Sequence, residues 1–183
     1  MATPKPMVVV FLTIISSDGT RQICLPFGKT KFNKGKRNGY GGKLDPGETA
    51  LAAARRELEE ESGVDAPWLS ESDLAARIVV TWPDDKEQNF GAPGTKLVEL
   101  FVYLTELGDD IEPNETNEME APEWFDVDRL PFDQMHPGEK LWLPEILDGK
   151  YMFGEMTCRA DGSVIESNIY SGEQTDKTHS CLG

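Results

Sequence analysis

Apolar residues at the start of the chain follow a pattern typical of a β-hairpin. Residues 7–15 (MVVVFLTII) form a run of β-branched and aromatic side chains, which favours a buried strand. The turn signal Asp18-Gly19 follows, and a second apolar segment covers residues 21–27. The sequence therefore predicts two antiparallel strands joined by a tight turn.

The rest of the chain alternates further short strands with two helices. The segment 49–62 is rich in alanine and is followed by Gly63, which is suited to end a helix in a left-handed cap. A shorter helix is predicted over 139–147, interrupted at Pro144. The remaining predicted strands cover residues 77–82, 97–104, 124–127, 151–157 and 163–170. These elements predict an α+β fold, a mixed sheet with helices packed on it, in a single domain over residues 1–170.

Three polar segments are predicted to lack regular structure. Residues 83–96 combine Pro, Gly and Asp and indicate a mobile loop, and residues 106–123 are acidic and rich in turn formers. Residues 171–183 are predicted to be a disordered tail.

Acidic side chains in the first predicted helix lie where a helix disfavours them. At about 100° per residue, three of them share an arc of roughly 100°: Glu57, Glu60 and Glu61. The adjoining arc is apolar and should face the sheet; it consists of Leu51, Ala54 and Leu58. Like charges at these spacings destabilise a helix by a few tenths of a kcal/mol each, and the helix dipole disfavours anions in the last turn. A solvated helix face is one interpretation, and a divalent-cation site is the other. Carboxylates without nearby His or Cys suit Mg²⁺, with Mn²⁺ as a substitute.

Composition narrows the class of ligand. The chain has 33 acidic and 18 basic residues, a net charge of −15, which argues against a protein that binds nucleic acid through its phosphates. A polyanionic small molecule remains possible when cations bridge the two. The three cysteines, Cys24, Cys158 and Cys181, contain no Cys-x-x-Cys pair, which favours a reducing, cytoplasmic location. The apolar segment 7–15 is too short to span a bilayer, so no membrane association is expected.

Residues 42–64 resemble a complete Nudix box. Gly42 is followed after five residues by Glu48, and after seven more by Arg56-Glu57-Leu58-x-Glu60-Glu61-x-Gly63-Val64. The segment Asn38-Gly-Tyr-Gly-Gly-Lys43 ahead of the box, and the Trp124-Phe125 and Leu130-Pro131 pairs after it, are similar to the MutT-homologue branch. That branch contains the oxidised purine nucleoside triphosphate hydrolases.

The resemblance implies a fold and a reaction. The fold is an α/β/α sandwich with a mixed central β-sheet, in which the box forms a loop–helix–loop. The reaction is attack of water on a phosphorus atom of a Mg²⁺-bound nucleotide, which gives a monophosphate and pyrophosphate and serves to clean modified nucleotides from the pool. The implied partner is a small-molecule nucleotide, bound by a monomer or a homodimer.

The resemblance also assigns roles. The metal ligands carried over to this sequence are Glu57, Glu60, Glu61, the Gly42 backbone and Glu118, with Glu120 as the alternative to Glu118. Arg56 would orient the carboxylates and Glu48 would support the box. The Gly41-Gly42 backbone would contact the phosphates or the metal, and Lys43 would contact the substrate.

A base pocket is implied by four further residues. Asn38 stands where the branch reads the base, and Phe32 keeps the place of a pocket aromatic. Where the branch carries Trp-Pro-Asp-Asp, this chain reads His136-Pro137-Gly138-Glu139. A histidine is therefore expected to stack on the base, which predicts a pH dependence of binding near 6–7. One base-pairing acid is missing, and Glu139 remains.

Several alternatives stay open on the sequence alone. His136 could be a surface loop residue, and the basic segment 29–37 could be a solvated loop rather than a device that steers a triphosphate. Three tryptophans, Trp82, Trp124 and Trp142, favour the core or a pocket wall over a stacking role. The substrate could instead be a nucleotide sugar or a dinucleoside polyphosphate, and a sensor without turnover is the third possibility.

Overall fold

The computed structural model of the protein describes residues 3–30, 33–83, 96–108, 110–120, 122–159 and 161–173. Phe32, Cys181 and most of the predicted 83–96 loop and C-terminal tail lie outside these ranges.

A single mixed sheet of seven strands organises the described residues. The strands are β1 Lys5–Ile15, β2 Arg21–Cys24, β3 Leu74–Trp82, β4 Lys96–Glu106, β5 Trp124–Asp126, β6 Tyr151–Cys158 and β7 Val164–Gly172. Their order across the sheet is β5-β2-β1-β4-β3-β6-β7. Two helices accompany them: α1 Ala50–Ser62 and α2 Leu143–Leu147. The predicted α+β class is confirmed.

Two pairs of strands run parallel and the others antiparallel. β1 and β4 are parallel, as are β3 and β6. The predicted hairpin of β1 and β2 is present, with Leu12 opposite Cys24. β1 is therefore central, and its two faces can support two different layers.

Alternation along β1 separates two hydrophobic layers. Val8 and Val10 pack with the layer that contains Leu58 of α1. Val9 and Phe11 face the opposite layer, which contains Leu143 of α2. Because successive side chains of a strand point to opposite faces, one strand carries a helix on each side of the sheet. This arrangement is the expected α/β/α sandwich.

The ends of α1 follow from its flanking residues. The Thr49 side chain accepts a hydrogen bond from the Ala52 amide at 3.2 Å, which caps the N-terminus. Gly63 adopts φ 73°, and its amide donates to the Glu59 carbonyl. The helix α1 therefore ends at a defined residue, directly after the segment Glu59-Glu60-Glu61-Ser62.

Some predicted boundaries were wrong. The break in the second helical segment lies at Trp142, which separates a 3-10 turn over Glu139–Leu141 from α2. Pro144 lies in the first turn of α2, where its missing N–H costs no helical hydrogen bond. β7 continues to Gly172, so its last two residues belong to the sheet rather than to the predicted tail.

Neither described helix is long and apolar enough to cross a membrane. Cys24 and Cys158 are buried free thiols in the described part of the chain.

Candidate active site

The residues around Gly42 bring the backbone before α1 into contact with β1 and with the helix. The Val8 amide donates to the Gly42 carbonyl at 2.9 Å, and Val10 and Tyr40 exchange both backbone hydrogen bonds. A Cβ on Gly42 would lie 2.4 Å from Glu57 Oε1, so the Glu57 carboxylate would have to move away from this backbone. Glycine is therefore required at position 42 for the helix carboxylate to lie against this backbone.

Glu61 is the most deeply placed of the three predicted carboxylates. It is 7% exposed. Its Oε2 accepts a hydrogen bond from the Gly41 amide at 2.7 Å. A buried carboxylate needs such a donor, because a charge removed from water without a partner is strongly unfavourable. The Gly41 amide is thus engaged with the protein itself.

Glu57 and Glu60 are joined through Arg56. One guanidinium nitrogen, Arg56 Nη1, donates to Glu57 Oε1 at 2.8 Å and to Glu60 Oε2 at 3.2 Å. The Glu57 side chain is 14% exposed and that of Glu60 is 60% exposed. The three glutamates therefore occupy one end of α1 at three different depths, with Glu60 nearest to solvent.

Arg56 is itself held by the loop that precedes the helix. Its Nε and Nη2 atoms donate to the two oxygens of Glu48, both at 3.0 Å. Nη2 also donates to the Lys43 carbonyl at 3.1 Å. These hydrogen bonds keep the pKa of Glu48 below its usual range. Glu48 and Arg56 therefore form a charged clamp that ties the loop to the carboxylates.

Glu118 is carried by a segment attached to the end of α1. The Thr116 hydroxyl donates to the Glu61 carbonyl at 3.1 Å, and the Asn114 amide donates to the Ser62 carbonyl at 2.8 Å. These bonds satisfy carbonyls that the end of a helix leaves without partners. Glu118 Oε2 accepts from the Thr30 hydroxyl at 3.4 Å. Glu120, the alternative, has an exposed side chain.

The donor set suits a hard divalent cation, although its ligands are engaged with protein donors here. Among the described residues, no group of three or more His, Cys, Asp or Glu side chains converges as a ready set of ligands. Arg56 and the Gly41 amide bind the oxygens that a cation would need. The available atoms are carboxylate oxygens, which is the ligand type that Mg²⁺ prefers. A carboxylate offers several acceptor sites on its two oxygens, so Glu57 and Glu60 would bind a cation while Arg56 and Glu48 keep them in place.

An apolar pocket lies on the other side of the glycine segment. Its polar lining includes Asn38, His136 and Glu139, three residues predicted to contact the base, together with Asn33. Its apolar walls come from β1, β3, β4, β6 and the α2 region and include Met7, Val9, Val80, Trp82, Leu100, Trp142 and Met156. Gly39 and Gly41 also line it, so the pocket and the carboxylates share one backbone segment.

His136 is part of the pocket wall rather than an exposed loop residue. Its Nε2 atom lies 3.1 Å from Asn33 Oδ1. Burial, with a smaller contribution from Lys36, lowers the pKa of His136 to about 4. The expected pH dependence near 6–7 is therefore wrong for this histidine, which stays neutral there.

Glu139 is a buried acid with unused hydrogen-bonding capacity. It is 5% exposed, and its Oε2 has no hydrogen-bond partner among the described residues. Burial raises the pKa of Glu139 well above its usual range, which favours the neutral carboxyl. Trp142 Nε1 is a second buried atom in the described wall without a partner. Two polar atoms of pocket residues are thus left for a ligand.

The missing acid at position 138 has a packing explanation. A Cβ on Gly138 would lie 2.9 Å from the Met156 sulfur and 3.0 Å from its terminal methyl carbon. Met156 therefore fills the space that a side chain at position 138 would need. This contact could not be predicted from the sequence, because Met156 belongs to β6, a separate element from the one that carries Gly138.

Two cations of the basic segment are used within the fold. Lys29 pairs with Glu115 at 2.5 Å. Arg37 lies over the rings of Phe27 and Phe125, at 5.4 and 4.8 Å from their centroids. Lys36 is the cation near His136 and Glu139. Since Lys29 and Arg37 are engaged within the fold, the hypothesis that this segment steers a triphosphate now concerns only its other cations.

Asn33 and Thr116 are the positions that sequence reasoning missed. Neither belongs to a recognisable motif, and each acts through a residue distant in sequence: His136 for Asn33, and Glu61 for Thr116. Phe32, the predicted pocket aromatic, lies outside the described residues.

Comparison with known proteins relates the chain to one family. A profile of the NUDIX domain matches residues 5–146. The oxidized purine nucleoside triphosphate hydrolase of Danio rerio is 32% identical over 158 residues, which cover 86% of this chain and 92% of that protein. The protein of the same name from Mus musculus is 29% identical over 81% of this chain and 86% of its own length.

The fold is shared with solved structures at lower identity. The mutator MutT protein of Bacillus halodurans superposes with a TM-score of 0.63 at 18% identity, covering 90% of this chain and 97% of that one. This likeness confirms the expected fold of the chain.

Proposed function

Because the chain belongs to the Nudix family, whose members generally use a divalent cation, we propose that it is a Mg²⁺-dependent pyrophosphohydrolase of modified purine nucleoside triphosphates. The products would be the nucleoside monophosphate and pyrophosphate. The role would be to remove oxidised nucleotides from the pool.

One spatial relationship supports this proposal above the others. The glycine segment 39–42 borders the apolar pocket on one side and contacts two box carboxylates on the other. A planar base in the pocket would direct its phosphates along this backbone toward the end of α1. An apolar slot with a few polar atoms beside a carboxylate cluster is the arrangement expected for a nucleotide bound through a cation.

The carboxylates would hold the cation and the clamp would position them. The residues that would hold it are Glu57, Glu60, Glu61 and Glu118, with backbone oxygen from Gly42. When bound, Mg²⁺ supplies charge neutralisation and a water of lowered pKa. Glu61 is held in place by the Gly41 amide, and Arg56 fixes the other two carboxylates relative to Glu48. The buried surroundings of Glu61 exclude water, and this exclusion would strengthen these electrostatic contacts.

The pocket would select the base through neutral groups. In the neutral form that burial favours, Glu139 can donate its O–H to one base atom and accept from another. Asn38 adds an amide N–H, and the Trp82 and Trp142 rings form apolar walls. An oxidised purine differs from its parent in the donors and acceptors of its edge, so groups of this kind can distinguish the two.

The sharpest test is a side-by-side panel with product analysis. We expect kcat/KM in Mg²⁺ to be highest for 8-oxo-dGTP or 2-hydroxy-dATP, lower for dGTP, and lowest for an ADP-sugar. Phosphorus NMR should show pyrophosphate rather than orthophosphate. Excess EDTA should abolish turnover, and Mn²⁺ should restore part of it.

Two results would contradict the proposed substrate or the proposed activity. Faster turnover of the ADP-sugar or of a dinucleoside polyphosphate would move the substrate class while keeping the chemistry. Tight binding of nucleotides without turnover in either cation would indicate a sensor.

A further inference from the structure

Asn33 lies at the junction of the base pocket's polar side chains. Its Oδ1 atom is 3.0 Å from Asn38 Nδ2 and 3.1 Å from His136 Nε2. It comes from the loop after Gly28, five residues before Asn38, whereas His136 comes from a separate part of the chain. One oxygen atom therefore connects two parts of the pocket wall.

The direction of this network is fixed by a backbone group. The Gly39 amide can only donate, and it donates to Asn38 Oδ1 at 2.8 Å. The other end of the Asn38 amide is therefore its nitrogen, which donates to Asn33 Oδ1. The Asn33 Oδ1 atom is an amide carbonyl oxygen, which can only accept a hydrogen bond. The nearby His136 Nε2 atom must therefore carry the proton.

We propose that Asn33 is a positioning residue for base selection, which holds His136 as the Nε2–H tautomer and locks the side chain against Asn38. The inference rests on the proposed function in one respect, that this pocket receives a base. Asn33 then fixes which imidazole nitrogen carries the lone pair and the angle at which the ring lines the pocket. The neutral state of the ring agrees with its burial.

The Asn33 backbone is itself held closely. A Cβ on Gly28 would lie 2.4 Å from the Asn33 carbonyl oxygen and 2.6 Å from its Cβ, so only glycine permits this approach. The Asn33 carbonyl also accepts from the Lys36 amide at 2.8 Å. The loop therefore presents the Asn33 side chain at a defined place, as a positioning role requires.

Imidazole nitrogen NMR tests the tautomer directly. The chain has two histidines, so a His179→Gln background leaves only His136 in the spectrum. At pH 7 we expect a protonated Nε2 and an unprotonated Nδ1 in this background. Asn33→Asp keeps an acceptor oxygen and should retain the Nε2 proton, whereas Asn33→Leu removes it and should give a mixture of tautomers.

Kinetics test the consequence for base selection. Asn33→Leu should raise KM for 8-oxo-dGTP by about tenfold, leave kcat within about twofold, and reduce the ratio of kcat/KM between 8-oxo-dGTP and dGTP by at least fivefold. Asn33→Asp should preserve more of that ratio. The matched control is Asn168→Ala on the exposed face of β7, which should leave all three quantities unchanged.

The outcomes separate this inference from the proposed function. An unchanged Nε2–H signal in Asn33→Leu, or unchanged selectivity in a folded variant, overturns the role of Asn33. Thermal melting of the Asn33 variants identifies misfolding; if Asn33→Leu does not fold, Asn33→Ala removes the same acceptor and decides through its tautomer signal. If the wild type turns over no nucleotide, the proposed function fails, yet the NMR comparison still decides whether Asn33 sets the tautomer.

Discussion

Arg56 and Glu48 face each other across the start of α1 with two parallel hydrogen bonds, Nε to Oε1 and Nη2 to Oε2, each of 3.0 Å. This geometry requires a planar guanidinium, since an ammonium group presents only a point charge. The remaining nitrogen, Nη1, holds Glu57 and Glu60. The clamp therefore transmits the position of the loop to the carboxylates.

Replacing Arg56 by Lys should consequently weaken the cation site. We expect the apparent affinity for Mn²⁺, measured by EPR, to fall about 10- to 100-fold, as is typical when a partner of the ligands is lost. The neighbouring Arg55 provides a matched control, because it donates to the carbonyls of Pro67 and Leu69 instead. Arg55→Lys should leave Mn²⁺ affinity unchanged, and equal losses in both variants would reject the clamp.

Gly42→Ala should damage the site through one methyl group. The added carbon would lie 2.4 Å from Glu57 Oε1 and would force that carboxylate away from the backbone. We expect kcat to fall by more than about tenfold. Gly108→Ala is the control, because a Cβ there meets no atom within 4 Å. Similar kcat values for the two alanine variants would show that the Glu57 position does not matter.

Restoring an acid at position 138 should require space in β6. Gly138→Asp alone should lower the melting temperature, because the new Cβ would press on the Met156 sulfur 2.9 Å away. Combined with Met156→Ala, the same substitution should regain stability and shift the preference among purine bases. A double variant no more stable than Gly138→Asp would refute the packing explanation.

The pH dependence of stability should report the buried histidine. The pKa of His136 falls from 6.5 unfolded to about 4 folded, so the folded state binds its proton less readily. The contribution of His136 to the free energy of unfolding is therefore fully present above pH 6.5. It declines as the pH falls toward 4, by roughly 3 kcal/mol in total. Urea unfolding at several pH values should show this decline, and His136→Gln should remove it. His179→Gln is expected to retain it.

Glu139 should behave in the opposite sense. Its folded pKa is raised, so the wild-type protein loses stability as the pH rises above the unfolded value near 4.5. Glu139→Gln should therefore unfold at a higher temperature than the wild type at pH 8, with a smaller difference at pH 4. An equal difference at both pH values would mean that this carboxyl ionises normally.

Local sequence was sufficient to predict the frame of the fold. Thr49 and Gly63 mark the ends of α1 because caps act within a few residues, and the alternation along β1 predicts its two buried faces. Pro144 misled the helix prediction, because its effect depends on whether it lies in the first turn or later.

The parts that could not be predicted depend on contacts between distant segments. The Asn33–His136 hydrogen bond joins residues 103 positions apart, and no propensity or motif records such a pair. The low pKa of His136 likewise follows from burial, which only the folded structure supplies. The box residues were accessible from the sequence because their spacing is itself a motif, whereas their different depths were not.

The central claim, that the carboxylates at the end of α1 hold the catalytic cation, is tested most directly by Glu60→Gln. This side chain is 60% exposed, so its replacement should leave the melting temperature in EDTA similar or higher, since it removes like-charge repulsion on the helix. We expect kcat for 8-oxo-dGTP in Mg²⁺ to fall at least about 100-fold in the same preparation. A folded Glu60→Gln protein with wild-type kcat would contradict the account.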